Sequence, residues 1–471
     1  MAERINSFPD FSGSFGDKRI DKRAKEALSK LVSGRSSSIR QISENRSGQK
    51  AFYRLLENEK FSEQNIEQSI VNRCSELCEN RHVLCIQDTS EVNLEMHRGR
   101  IKRDSGVGKT TKESILGFFL HPCFVVDAQN ETALGYSYIN LWHRPEQEHT
   151  NKHEREYKKQ PIEAKESYKW IEAVEQSSKV LTKARQITVV ADREADIYDL
   201  FGRYGTGDIK LLIRSKSNRQ INDGAEKIIE HLQSQPVKHN YSIEVKGDIR
   251  KGIQKRKAKL ELKWSMVELR KPHSCKDTSL GSKVLVTVIQ AQEKGEKGLC
   301  WRLFTTHKVT TVQDALQIIE WYKQRWYIEQ VFRLLKTQGF HIESSQLETG
   351  WAIRKLTMLS LLAILRIMQM LIAYEDDHEQ SIDEAFTKDE QQCMTQLNEK
   401  LEGQTAQLSN PFKSATLKWA TWIVARLGGW KGYASQRKPG PIVLHRGFIK
   451  FYQLYEGWTL AQSFFKDVGT R

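Results

Sequence analysis

The sequence predicts an α/β protein with helical segments at both ends, and two patterns lead to this prediction. Short apolar runs typical of strands alternate with helical segments between residues 82 and 213, and four alternating runs follow before residue 308. Residues 17–79 and 410–471 show helical patterns instead. The chain has 471 residues, enough for about three domains of ~150 residues each.

The N-terminal segment is predicted to be a small group of basic helices. Asp17 and Ser62 stand where helix N-caps are expected, and Gly34 where a helix should stop. Small basic helical domains often bind DNA, but others are plain helical bundles. This segment alone therefore does not decide the function.

The central segment predicts a mixed sheet with helices on both faces. The expected elements are strands at 82–87, 117–126, 132–142, 187–190 and 209–213, with helices at 161–185 and from residue 193 onward. Antiparallel strands at 241–245, 258–269, 283–291 and 300–305 then predict a β insertion. One helix over 311–337 and further helices to residue 374 complete the region.

Charge and composition suggest where the chain divides. Residues 375–402 contain ten acidic residues and two lysines, and this acidic segment marks a boundary. We therefore expect a helical domain at 1–68 and a central domain at 69–374 with its β insertion at about 236–308. A helical C-terminal domain at 375–471 follows, whose tryptophans are expected in the core or at a dimer contact.

The net charge of +15 and the pI near 9.3 favour a polyanionic partner, most often nucleic acid, although a merely basic protein has the same values. The segment 248–259 holds six basic residues and one acidic residue, and is either a phosphate-binding ridge or a solvated hairpin loop. The seven cysteines are scattered and odd in number, as in reduced cytosolic proteins. No apolar signal segment opens the chain, and the apolar segment 355–373 is predicted to be a buried core helix.

Two other motifs carry little weight. SGVGKTT at 105–111 ends like a nucleotide phosphate loop, but the first glycine of that motif would fall on Arg103. His143, His149 and His153 lie in a polar segment and are expected in a solvated loop. We therefore predict no nucleotide cofactor.

One helical stripe and two strand ends provide the chemistry. At 100° per residue, Tyr322, Arg325, Glu329, Arg333 and Lys336 fall within an 80° arc of one helix, which for an ordinary helix indicates a solvated face with ion pairs. Asp88 and Asp192 each follow a predicted buried strand. Neighbouring strand ends converge in α/β sheets, so these two carboxylates and Glu329 suit two Mg²⁺ ions in phosphoryl displacement. Asp88 and Asp192 are also plausible turn or cap residues.

These motifs closely resemble those of the DDE transposases of the insertion-sequence-four family. The likeness rests on CIQDTSEVNL around Asp88, ADREADIYDL around Asp192, and the spacing Tyr322-(2)-Arg325-(3)-Glu329-(6)-Lys336. SFGDKR, GQKAFYRLLEN, LLIRSK, WATWIVARLGGW and YEGW extend it along most of the chain. Ser344-Ser345-Gln346 departs from the family by lacking basic residues after the helix, and Arg333 departs if the family favours lysine there.

The resemblance implies an RNase H-like catalytic core interrupted by the β insertion, and cut-and-paste transposition. Asp88, Asp192 and Glu329 would be the catalytic carboxylates and would bind two Mg²⁺, with Mn²⁺ as a substitute. One strand would be nicked at the transposon end, a DNA hairpin would form and open, and the 3′-OH would attack target DNA. The partners would be double-stranded DNA and a second copy of the chain, in the cytoplasm of a bacterium at the nucleoid.

The same resemblance implies roles for the DNA-binding residues. Tyr322, Arg325, Arg333 and Lys336 would hold phosphates near the cleaved end, and Trp301 would stack a base flipped out of the hairpin. Arg193, Arg214 and Lys216 would line the DNA path. Two alternatives remain: an end-binding repressor with little catalysis, and a structure-directed nuclease on the same core that forms no hairpins.

Overall fold

The computed structural model describes residues 8–102, 104–111, 115–144, 160–222, 224, 226–245, 254–295, 298–375, 378–403, 408–433 and 437–468. The helices are α1 (Lys18–Gly34), α2 (Ile39–Ile42), α3 (Arg46–Glu57), α4 (Glu63–Leu77), α5 (Tyr168–Val180), α6 (Tyr198–Tyr204), α7 (Ile228–Ser234), α8 (Val312–Lys323), α9 (Trp326–Lys336), α10 (Gly350–Glu375), α11 (Lys388–Leu401), α12 (Leu417–Leu427) and α13 (Pro441–Val468). The strands are β1 (His82–Gln87), β2 (Ser90–Asn93), β3 (Gly108–Lys109), β4 (Leu116–Asp127), β5 (Ala133–Trp142), β6 (Gln186–Ala191), β7 (Lys210–Arg214), β8 (Gln220–Ile221), β9 (Glu226–Lys227), β10 (His239–Val245), β11 (Arg256–Arg270), β12 (Lys283–Glu293) and β13 (Cys300–Thr305). The α/β fold class is confirmed.

The chain forms two compact units, neither of which is one continuous segment. The first unit contains residues 1–79, 89–149 and 327–471, and the second contains residues 80–88 and 150–326. The predicted division into three domains at 68/69 and 374/375 follows different boundaries and stays a prediction.

The second unit is built on a mixed sheet. Strands β1, β6 and β7 run parallel, and β13, β12, β11 and β10 continue from β7 as antiparallel neighbours. The inner residues of β1, β6 and β7 are buried on both faces, as expected for parallel strands covered by helices. Helix α5 packs on β1, and α6 packs on β7 and β12. The predicted β insertion is therefore confirmed as β10–β13.

The first unit is organised around α10, whose side chains are almost all buried. This helix contacts α1, α3, α4, α12, α13 and β5. It is long and apolar enough to span a membrane by length and composition. Its burial among the other helices confirms the prediction of a core helix over 355–373.

Charged groups inside the first unit tie distant segments together. Buried Arg354 pairs with Glu63 at 2.6 Å, and the Lys355 ammonium donates to the Leu56 and Asn58 carbonyls, both at 2.9 Å. Buried Arg366 pairs with Glu390 at 3.0 Å and also bonds Tyr452. These bonds pair cations whose burial would otherwise be costly.

Local capping follows the sequence closely. The side chains of Asp17 and Ser62 accept hydrogen bonds from the Arg19 and Asn65 amides, which confirms both as N-caps. Helix α1 ends at Gly34, as predicted. Trp419, Trp422 and Trp430 are buried in the first unit.

Two predicted helices are corrected. Residues 161–185 form a short 3₁₀ turn at Ile162–Ala164 and then α5, because the 3₁₀ turn ends at an extended Lys165. The helix expected over 311–337 is two helices, α8 and α9. The amides of Gln324 and Arg325 bond to carbonyls only three residues back, at 3.2 and 3.1 Å, which tightens the chain between them.

His149, His153 and half of the basic segment 248–259, namely residues 248–253, lie outside the described residues. His143 is partly buried at the end of β5, and burial lowers the pKa of its imidazole.

Candidate active site

The two predicted strand-end carboxylates lie side by side in the second unit. Strands β1 and β6 are parallel, with Ile86 opposite Val190. Continuing this register by two residues puts Asp88 opposite Asp192, on strands that are typically ~4.8 Å apart. The two aspartates therefore follow neighbouring parallel strands, as the predicted convergence requires.

The end of β7 extends this row. Ala191 is opposite Ile213, so the next residues along, Asp192 and Arg214, are also neighbours. The carboxyl edge of the parallel strands thus presents two carboxylates and then a guanidinium. A row of carboxylates followed by a cation suits a bound metal ion beside a phosphate.

Each aspartate also has a local structural role. The Asp192 side chain accepts from the Glu194 amide at 2.8 Å and caps the 3₁₀ turn Arg193–Ala195, so the expectation that it is a cap residue holds. Asp88 pairs with the Arg325 guanidinium at 3.0 Å, and both side chains are mostly buried. These contacts, made by carboxyl oxygens, hold both side chains at the ends of their strands.

Tyr322 lies close to the same groups but is buried rather than presented to solvent. Tyr322 is 5% exposed. Among the described residues, its hydroxyl has no hydrogen-bond partner of acceptable distance and angle. Burial and the Asp192 charge raise the pKa of the phenol, while the Arg325 and Arg214 guanidinium groups oppose that rise. A buried polar hydroxyl aimed at this cluster is an available donor for an incoming ligand.

The remaining stripe residues belong to the first unit. Helix α9 carries Glu329 in its first turn, with Arg333 and Lys336 in its last turn. The Lys336 ammonium donates to the Glu91 carbonyl at 2.6 Å and pairs with the Glu343 carboxylate at 3.3 Å. The five stripe residues therefore do not lie on one regular helix, because the turn at Gln324–Arg325 interrupts it.

Trp301, Arg214 and Lys216 share one face of the β7–β13 pair. Leu303 is opposite Arg214, so continuing this antiparallel register puts Trp301 opposite Lys216. Trp301 is partly buried, and Lys216 is exposed. An aromatic ring beside two cations suits a nucleic acid strand. Arg193 is exposed in the turn after Asp192.

Sequence reasoning missed one residue that shapes this surface, Asp196. Its carboxylate accepts from the Lys216 amide at 2.7 Å and also pairs with Arg219, so it fixes the turn that carries Lys216. The signal was present in ADREADIYDL, where Asp196 follows Asp192 by four residues.

The donor chemistry of Asp88 and Asp192 fits a hard divalent cation, since both offer carboxylate oxygen. No compact group of three or more His, Cys, Asp or Glu side chains suited to a metal occurs among the residues that the structure describes. The Arg325 guanidinium also places a positive charge beside the Asp88 carboxylate. The chemistry of this carboxylate pair thus fits a divalent metal ion.

Two family models match this chain. Residues 109–366, more than half of the chain, match the family described as "Transposase DDE domain". That match includes Asp192 and Glu329 and begins after Asp88. Residues 12–61 match the family described as "Transposase DNA-binding". A cryo-EM structure of a piggyBac transposase synaptic complex with hairpin DNA matches at 10% identity and a TM-score of 0.36, covering 75% of this chain and 65% of that one, less than two thirds of its length.

Proposed function

Because this chain belongs to the DDE transposase family, we propose that it is a cut-and-paste transposase that excises a DNA element and joins it to a target. The family match means an enzyme that acts on DNA, and the N-terminal match means a DNA-binding segment. DDE domains generally use divalent metal ions. We further propose that the chain belongs to the insertion-sequence-four family and that it acts through a DNA hairpin. We place it in the cytoplasm of a bacterium, associated with the nucleoid.

The observation that carries the proposal is the pair Asp88 and Asp192, in register at the carboxyl ends of β1 and β6. We assign these carboxylates and Glu329 as the catalytic residues and as the ligands of two Mg²⁺ ions, for which Mn²⁺ substitutes. When bound, such ions act as Lewis acids that stabilise the attacking and leaving oxygens of an in-line displacement at phosphorus. The carboxylates would hold the metal ions, and the strand ends would keep the carboxylates in position.

Cations around this pair would position the DNA. Arg214 and Lys216 would neutralise phosphates along the path, and Arg193 would do so from the turn after Asp192. Tyr322 and Arg325 would hold the phosphate next to the cleaved bond, because the phenol and the guanidinium are donors beside the carboxylates. Arg333 and Lys336 would contribute from the last turn of α9.

We assign to Trp301 the stacking of a flipped base in the hairpin step. The partly buried ring on β13 is next in register to the exposed Lys216, which supports a base stacked on the ring while its phosphate is neutralised. Base–aromatic stacking is worth ~1–3 kcal/mol per base.

We also propose that two copies of the chain hold two transposon ends together. The outer half of α13 supports this assignment, since Leu454, Leu460 and Phe464 are 45%, 57% and 62% exposed. Exposed apolar side chains along one helix are typical of a helix that packs against another chain.

The deciding experiment is a cleavage assay with Mg²⁺ on DNA that carries the ends of the element encoding this chain, resolved on a denaturing gel. We expect a nick followed by a hairpin, both lost in Asp192→Ala. Lys388→Gln, which changes an exposed lysine of α11, serves as the control and should cleave normally. Binding without cuts would favour the repressor, and cuts without hairpins would favour the nuclease.

A further inference from the structure

The first unit carries an exposed methionine that the proposed function does not use. Met96 is 95% exposed, more than any other large hydrophobic side chain among the described residues. It lies in the 3₁₀ turn Glu95–His97 between β2 and β3. We name residues 94–102 the prong.

The prong is held in a defined conformation. The Arg98 guanidinium donates to both Glu95 carboxylate oxygens at 2.7 Å, and that carboxylate also accepts from the Leu116 amide at 2.8 Å. The Leu94 amide bonds the Leu116 carbonyl at 2.8 Å. Met96 is therefore presented by ordered backbone, so its exposure does not come from a frayed end.

The prong is also fastened to the segment after α9. His97 Nε2 donates to the Glu343 carbonyl at 2.9 Å, and the Lys102 amide donates to the Glu348 carbonyl at 2.8 Å. The Arg100 guanidinium donates to Gln346 Oε1 at 2.6 Å and to the Ser345 carbonyl at 2.5 Å. These acceptors of Arg100 are neutral, and the Lys102 side chain is exposed, so the prong presents positive charge beside its methionine.

Gln346, which accepts a hydrogen bond from Arg100 of the prong, also lines a cleft of about 620 Å³. Ser345, Gln346 and Leu347 form one wall, and residues of the N-terminal helices form the other. The second wall includes Arg40, Gln41, Gln49 and Tyr53, all within the segment that matches the transposase DNA-binding family. Arginine and glutamine side chains are donors to phosphates and base edges.

We propose that Met96 is a wedge that enters a base step of the transposon-end duplex when that duplex lies along the cleft. Apolar side chains on a rigid support, flanked by cations, partly unstack base steps and kink the duplex. Arg100 and Lys102 would neutralise the phosphates on either side of the step. This inference rests on the proposed function, and it commits to end DNA because one wall of the cleft belongs to the segment that matches the transposase DNA-binding family.

The test uses end-containing duplexes in which 2-aminopurine replaces one adenine at a time, without added metal so that no cleavage occurs. We expect the wild-type chain to raise the fluorescence at one step, because unstacking relieves quenching. Met96→Ala should lose that rise while still shifting the duplex on a gel, and Met96→Leu should keep it. Met266→Ala, which truncates a methionine that is 59% exposed in the second unit, should behave as wild type.

A second measurement addresses the cations. Lys102→Gln should lower the salt slope of end binding by about 1, the value of one phosphate contact, and Lys388→Gln should leave it unchanged. The wedge is wrong if Met96→Ala keeps the full fluorescence rise, or if random-sequence duplex gives the same rise at the same position. A wild-type chain that fails to bind end DNA would instead overturn the proposed function, and the wedge with it.

Discussion

The ion pair between Asp88 and Arg325 makes a measurable prediction about metal binding. Their charged atoms lie 3.0 Å apart, and the side chains of Arg325 and Asp88 are 16% and 21% exposed. At an effective dielectric constant near 20, the attraction is about 5.5 kcal/mol before desolvation is subtracted. Desolvation offsets much of it, so we expect a net coupling of about 1–3 kcal/mol.

The test is a double-mutant cycle built from Arg325→Gln and Asp88→Asn. The quantity measured is the free energy of unfolding. Arg325→Gln should destabilise, because it leaves the Asp88 carboxylate mostly buried beside Asp192. Divalent cation should then restore stability, by about 2.7 kcal/mol at a hundredfold excess over its dissociation constant. Ca²⁺ titrated by calorimetry should bind this variant more tightly than it binds the wild-type chain without DNA, since the guanidinium no longer competes.

The matched control is the exposed pair Lys388–Asp383, whose side chains are 75% and 39% exposed. Its cycle should give a coupling of at most about 1 kcal/mol, with no response to Ca²⁺. Equal couplings at the two sites, together with unchanged Ca²⁺ affinity in Arg325→Gln, would refute the reasoning that the guanidinium competes with a divalent cation for Asp88.

Three further predictions follow. Glu329→Ala should keep end binding and abolish cleavage; loss of both to the same degree, by gel shift and cleavage assay, would remove it from the site. Trp301→Ala should slow hairpin formation more than first nicking in a time course, whereas equal slowing would make the ring structural. Burial and the nearby His82 and Lys210 charges lower the pKa of His307 to about 4, below the ordinary 6.5 of an unfolded chain. The contribution of His307 to folding stability should therefore be complete above about pH 6.5 and fall as the pH drops toward 4. His307→Gln should flatten that fall in melting temperature, and an unchanged fall would contradict this role.

Much of the fold could be predicted because its signals are local. Apolar runs predicted β1, β4–β7 and β10–β13 within about two residues, but they missed the short strands β2, β3, β8 and β9. Asp17 and Ser62 marked helix starts through side chains that bond nearby backbone amides. The meeting of Asp88 and Asp192 also followed, because parallel strand ends share one edge of a sheet.

What escaped prediction depends on contacts between distant residues. Asp88 and Arg325 are 237 positions apart, and nothing near either residue indicates the other. The turn at Gln324–Arg325 contains no glycine or proline that would mark a helix break. Helical geometry likewise predicted that Lys336 lies on a helix face with the other stripe residues. Its ammonium instead donates to the Glu91 carbonyl and pairs with the Glu343 carboxylate.

The pairing of β1 with β6 has a consequence for synthesis on the ribosome. Strand β1 ends at Gln87, and its parallel partner begins at Gln186. Translation adds ~5–20 residues per second, so roughly 5–20 seconds separate the synthesis of the apolar run Val83–Ile86 from that of its partner strand. During that interval the apolar segment lacks its parallel partner strand. We therefore expect the yield of native chain to depend on chaperones that cover this segment during translation.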